Sequence, residues 1–230
     1  MDPSWFQPID SYCERIDASF WAEPVNAITN GFFLLAAAHA LWVWRGQQPR
    51  DWPSLWLIAV TAIVGIGSFL FHTFANRWSL LADVLPIAAF IYSYSLLAMR
   101  RYLRLGTGVA IAITLVFAAF NVSFGRLWWG LFPGVTLNGS VSYLPALMAM
   151  FAVGTGCYRA NAGQTGRALV RAGLAFALSL TFRSIDSAAC SALPLGTHAL
   201  WHMLNALVLW ILMNTALAHA PDERPLHVPC

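Results

Sequence analysis

Three histidines, one aspartate and one serine have the types and spacing from which chemistry can be built. Ser68 and His72 lie four residues apart, as do His198 and His202, and residues four apart share one face of a helix. Asp83 follows His72 by eleven positions. Three neutral imidazoles with a fourth position left open make the donor set of a catalytic zinc site. Zinc lowers the pKa of a bound water to about 7 and so supplies a nucleophile at neutral pH. Asp83 is not needed as a ligand; it can orient that water and take its proton. The Ser68 hydroxyl can hydrogen-bond the water or a developing oxyanion. A single histidine in an apolar segment is as often a packing residue, so the case rests on whether the chain brings these five side chains to one place.

The elements that must do so are membrane spans. Of 230 residues, 59% are hydrophobic and 10% charged, against about a quarter charged in a soluble domain. Apolar runs long enough to cross roughly 30 Å of hydrocarbon recur at 24–45, 55–74, 80–99, 105–120, 141–158, 167–186 and 196–218. The expected fold is an all-α membrane protein, a seven-transmembrane-helix bundle over 24–218. An acidic N-terminal arm (1–23) precedes it and a tail (219–230) follows. The segment 126–132, with two tryptophans, reads as an interfacial aromatic piece rather than part of a span. All 13 basic residues are arginine, which excludes a retinal Schiff-base protein, since that chemistry needs a lysine amine. No basic run is long enough for nucleic acid. The acidic first residues and the long first apolar run do not read as a cleavable signal.

Arginine placement sets the expected orientation. With seven spans, Arg15, Arg77, Arg126 and Arg183 fall on one side and the other nine arginines on the opposite side. The positive-inside rule puts the nine in the cytoplasm, leaving the N-terminus outside or lumenal and the C-terminus cytoplasmic. The second span then runs outward, and the third and seventh run inward. Ser68, His72, Asp83, His198 and His202 all come to the outer ends of their helices, at one depth. His39, His219 and His227 fall elsewhere and read as structural or solvated. Arg183 and Asp186, three apart, are expected to pair on the sixth helix.

Asp10, Glu14, Asp17 and Glu23 cluster on the same side, and several carboxylates at short spacing suit a hard cation such as Ca²⁺. A solvated acidic arm is the alternative reading. Cys13 and Cys190 also fall on that side, whereas Cys157 and Cys230 fall on the cytoplasmic one. Only the first pair meets an oxidising compartment, so a Cys13–Cys190 disulfide is expected.

Ser-x-x-x-His, a downstream Asp, and His-x-x-x-His opening the last span resemble the seven-helix lipid hydrolase superfamily that contains alkaline ceramidases and adiponectin receptors. Tyr12-Cys13-Glu14, the stretch from Ala22-Glu23 through Asn26 to Asn30, and the stretch from Ile185-Asp186 to Cys190 are similar to the ceramidase branch. The resemblance covers nearly the whole chain. It implies zinc on His72, His198 and His202, Asp83 as the water-activating carboxylate, and Ser68 close to the metal. It also implies an N-terminal calcium site, for which Glu14 and Glu23 carry over more directly than Asp10 or Asp17. Tyr12 stands where the branch usually has tryptophan, and the gap to Glu23 is shorter. Tyr143 is a candidate phenol donor to the oxyanion, or an interfacial anchor.

The expected function is therefore a zinc-dependent intramembrane hydrolase that cleaves the amide of ceramide to a sphingoid base and a fatty acid. The alternative is an adiponectin-receptor-like or haemolysin-like protein with a signalling or membrane-perturbing role. A transporter would want broken helices and polar groups near the midplane, and here the polar groups gather at one end. The expected partner is a membrane lipid, with no nucleic acid. The all-arginine composition favours a bacterial inner membrane over a eukaryotic ER or Golgi membrane.

Overall fold

The computed structural model describes residues 3–160 and 162–219. It is helical, with one isolated β-bridge, Pro8 to Asn76, among the described residues. A short helix α1 (Pro24–Thr29) leads into α2 (Gly31–Arg45), and the two together make the first of seven segments long and apolar enough to cross a membrane. The others are α3 (Trp52–Phe74), α4 (Arg77–Arg101), α5 (Thr107–Leu131), α6 (Leu144–Arg159, entered through a 3₁₀ turn, Leu137–Tyr143), α7 (Gly163–Ala189) and α8 (His198–Ala218). The tail beyond residue 219, with His227 and Cys230, lies outside the described residues.

Local signals explain most boundaries. Asp51 caps α3 by accepting from Ser54 N, with Pro53 in the first turn where no N–H is missed. Asn76 and Ser79 form a reciprocal capping box that starts α4. The fourth span is longer than expected. The segment 126–131 continues α5 as regular helix instead of lying at the interface, because nothing in it breaks a helix and its aromatic rings stack along one side.

Helices α3 and α8 are the most buried and form the middle of the bundle; α5 is the least buried and presents apolar side chains such as Leu115, Val116 and Val122 outward. In lipid that exposure costs nothing, so helix contacts rely on close packing of small residues. Gly67 is one such contact. A Cβ there would overlap the Ala82 carbonyl. Pro86 supplies no N–H to that carbonyl four residues back, and α3 presses against it at the level of Ser68 and Asp83.

Candidate metal centre

Each histidine reaches the site by a separate structural device. His72 sits in the last turn of α3, just before Ala75 ends the helix in the left-handed conformation. His198 and His202 occupy the first and second turns of α8. The start of α8 is held by Asp186 near the end of α7, whose Oδ1 accepts from the backbone N–H of Thr197 (2.6 Å) and His198 (2.9 Å). These are orphan donors of a helix N-terminus, where a carboxylate is doubly favoured. Gly196 makes this approach possible: it has φ +65°, and a Cβ would collide with the Asp186 carboxylate.

The three imidazoles converge. One ring nitrogen from each of His72, His198 and His202 lies within 4.8 Å of the others, and all three side chains are buried. Their hydrogen bonds fix the tautomers of two. His72 Nδ1 donates to Glu23 Oε2 at 2.6 Å, which leaves Nε2 with a free lone pair. His202 Nδ1 is 2.9 Å from Thr29 Oγ1. That hydroxyl already donates to the Val25 and Asn26 carbonyls, so it accepts from His202 and again leaves Nε2 free. A metal-ligating histidine typically donates its second nitrogen in this way. His202 Nε2 and His198 Nδ1 are buried without a hydrogen-bond partner. An unpartnered buried acceptor such as His202 Nε2 is costly, and a bound cation would satisfy it. The donor set therefore fits a metal ion.

Ser68, Asp83 and Tyr143 line the same cavity as His198 and His202. The cavity extends well past the histidines. On α4 its wall runs from Asp83 through Ile87 and Ile91 to Ala98; on α8 it runs from His198 to Leu212. Fifteen residues separate Asp83 from Ala98, which is about 22 Å of helix. The charged groups and the histidines are gathered at one end of a long and mainly apolar space, whose polar lining further along is Tyr94, Ser95 and Asn205.

The acidic arm does not converge in the same way. Glu14 accepts from the backbone N–H of Val25 and Asn26 through its two oxygens (2.7 and 2.8 Å), and so caps the start of α1. Glu23 is paired with Arg15 Nε (2.5 Å) and with His72. Burial works to raise the Glu23 carboxyl; the hydrogen bonds and charges of His72 and Arg15 outweigh it and hold the group below its ordinary value. Asp17 is exposed and accepts from Ser19 N, and Asp10 is exposed.

Arg183 and Asp186 do not pair. Arg183 Nη1 donates to the Tyr12 hydroxyl at 2.9 Å, and its guanidinium lies 5.1 to 5.6 Å from the ring centres of Tyr12, Tyr143 and Trp201. Asp186 turns instead to the backbone of Cys13 (3.1 Å), Thr197 and His198. Spacing along a helix places two side chains near each other, but here an unpaired helix start is the stronger acceptor's partner. Arg183 also lines the cavity; the sequence places it as structural support at this end of the bundle, near the site, and a lone arginine within a span is itself a signal. Tyr12 stacks on His198 with ring centres 3.6 Å apart, and burial pushes its phenol up to about 12 against the opposing charge of Arg183. The expected disulfide is present: Cys13 and Cys190 are bonded. His39 accepts from Trp210 Nε1, and His219 bonds Thr165, so neither belongs to the site.

Seven apolar spans enclosing a buried three-histidine group that could hold a metal ion define a membrane protein of the polytopic, all-helical class. The Ceramidase family model matches residues 10–225, and the chain belongs to that family. The family implies a hydrolase and supports a ceramide-hydrolysing role. Among curated proteins none matches the chain.

Proposed function

We propose that this protein is a zinc-dependent amidohydrolase that cleaves the amide bond of ceramide or a closely related lipid within the membrane. The observation that carries the reading is the placement of the buried three-histidine group at the polar end of a long apolar cavity. An acyl chain fits such a space, and an amide at its head would lie beside the histidines without leaving the lipid phase. His72, His198 and His202 would hold the metal. Zinc suits three neutral imidazoles, and when bound it acts as a Lewis acid on water and the amide carbonyl. Asp83, whose Oδ1 is buried without a partner, takes a proton from the attacking water and returns it to the leaving amine nitrogen as the C–N bond breaks. Ser68 and Tyr143 offer hydroxyls to the oxyanion.

A calcium ion in the arm has no comparable support, because Glu14 and Glu23 are engaged by protein donors and Asp10 and Asp17 are exposed. By the arginine count, the end of the bundle that bears the arm and the histidines faces away from the cytoplasm.

Metal analysis of the purified protein, coupled to lipid product analysis, tests the reading. About one zinc per chain is expected, with release of fatty acid and sphingoid base. His202→Ala should lose both metal and turnover. Asp83→Asn should keep the metal and lose about 10²- to 10⁴-fold in turnover. Absence of zinc from active protein, or ceramide cleavage by His202→Ala at the wild-type rate, would overturn it.

A further inference from the structure

Arg15 is a buried arginine in an arm that the sequence reads as acidic and suited to a calcium ion. It is 7% exposed, and each of its hydrogen bonds ends on oxygen. Nε donates to Glu23 Oε1; Nη1 donates to the carbonyls of Asp17 (3.1 Å) and Ser19 (3.5 Å); Nη2 donates to the carbonyl of His72 (3.1 Å). One carboxylate and three carbonyls form the kind of all-oxygen shell that a hard cation takes, and here a guanidinium fills it. A buried charge is tolerated only when paired and hydrogen-bonded in this way.

The shell touches the metal centre twice. Arg15 grips the backbone of His72 directly. It also grips one oxygen of Glu23, whose other oxygen accepts from His72 Nδ1 at 2.6 Å. Asn26 Nδ2 donates to that second oxygen as well (3.1 Å). Glu23 thus has both oxygens fixed, and its orientation fixes the His72 ring.

We propose that Arg15 is the resident cation of the N-terminal arm and a positioning residue for the metal centre. Its guanidinium holds Glu23, and Glu23 holds His72 as the Nδ1-protonated tautomer with Nε2 aimed at the other two histidines. The arm needs no exchangeable ion, and metal affinity depends on a side chain that never touches the metal. The inference rests on the reading of His72 as a metal ligand.

Zinc affinity of the purified full chain, measured by chelator competition, tests it without recourse to turnover. Outer-shell partners of metal ligands are typically worth 10- to 100-fold in affinity. Arg15→Met and Glu23→Gln should each weaken zinc by about that factor. The double variant should lose less than the two single losses combined, because Arg15 acts in large part through Glu23; independent structural losses would add in full instead. Arg15→Lys keeps the charge without the fork and should recover part of the affinity. Should Arg15→Met fail to fold, the same comparison is made with Arg15→Lys, Glu23→Gln and their double variant. In the wild type, added Ca²⁺ should not move the melting temperature. Wild-type affinity in Arg15→Met, additive losses, or a melting temperature that climbs with Ca²⁺ would overturn the inference and leave the zinc reading standing. A wild-type protein that binds no zinc would overturn both.

Discussion

Asp186 Oδ1 and the backbone nitrogen of His198 lie 2.9 Å apart, so the first residue of α8, one of the three clustered histidines, is held by a carboxylate from α7. The same carboxylate takes the N–H groups of Thr197 and Cys13. One buried side chain thereby joins the end of α7, the start of α8 and the N-terminal arm.

Removal of that carboxylate leaves three buried backbone donors without a partner. Hydrogen bonds to charged groups contribute roughly 1.5–3 kcal/mol each, with losses that do not simply add. Asp186→Ala is expected to destabilise the protein by about 3 kcal/mol or more, read as a fall in melting temperature in detergent, and to weaken zinc through His198. Asp186→Asn should retain part of both. A melting curve for Asp186→Ala that overlays the wild type would show that the N-terminus of α8 is held by something else.

The histidines were legible in the sequence because three polar side chains stood out in apolar spans, and a spacing of four together with alternating span direction put them on one level. Arg15 was not legible as a buried residue. A basic side chain among Asp10, Glu14 and Asp17 reads as one more solvated charge, and only the folded arm shows four oxygens closing around it. The expected Arg183–Asp186 pair failed for a related reason. The i, i+3 rule describes one helix, whereas Asp186 answers to the turn at Gly196 and Arg183 to the rings of Tyr12, Tyr143 and Trp201, none of them near in sequence. The seven spans followed from hydropathy, and the misjudged end of α5 came from treating tryptophan as an interface marker where it was also compatible with continued helix.

The depth of the cavity predicts chain-length preference. Val153, on α6, lines the wall, and a larger side chain there reduces the room for an acyl tail. Val153→Phe should lower kcat/KM for long-chain ceramides by about tenfold or more, since each methylene in an apolar pocket is worth roughly 1–3 kcal/mol, while short-chain ceramides remain good substrates. Equal losses for both classes would mean that the acyl chain does not occupy this space.

A second ion pair, at the other end of the bundle, makes a pH prediction. Asp51 caps α3 and accepts two hydrogen bonds from Arg101, at 2.7 and 2.9 Å. Burial works to raise the Asp51 carboxyl, and the hydrogen bonds of Arg101 and Ser54 outweigh it, holding the group below its ordinary value. A folded-state pKa below the unfolded one makes stability that is fully present above the unfolded pKa, about 3.9 for aspartate, and lost as pH falls through the folded pKa. The Asp51 contribution should therefore be flat from neutral pH to about pH 5 and vanish only in stronger acid. The difference in melting temperature between wild type and Asp51→Asn, followed across that range, measures it. A difference that shrinks already between pH 7 and 5 would contradict the assignment.

The Cys13–Cys190 bridge ties the arm to the residue following α7, across 177 positions of sequence. It fixes the arm where Tyr12 stacks on His198 and Arg15 reaches His72, so it bears on the three-histidine group as well as on stability. Chain-entropy reasoning for so long a loop predicts roughly 4–5 kcal/mol, of which real bridges often deliver less. Mass spectrometry of unreduced, alkylated protein should find the Cys13 and Cys190 peptides joined and Cys157 as a free, buried thiol. Reduction should lower the melting temperature, and the Cys13→Ala, Cys190→Ala double variant should melt like the reduced protein and no longer respond to reductant. The same experiment reports on orientation. A disulfide persists only where the compartment is oxidising, so a linked peptide recovered from cells lysed in an alkylating agent places the arm and the three histidines on the non-cytoplasmic side, in agreement with the arginine count. Alkylated Cys13 and Cys190 in that preparation would contradict the bridge and remove its support for that orientation.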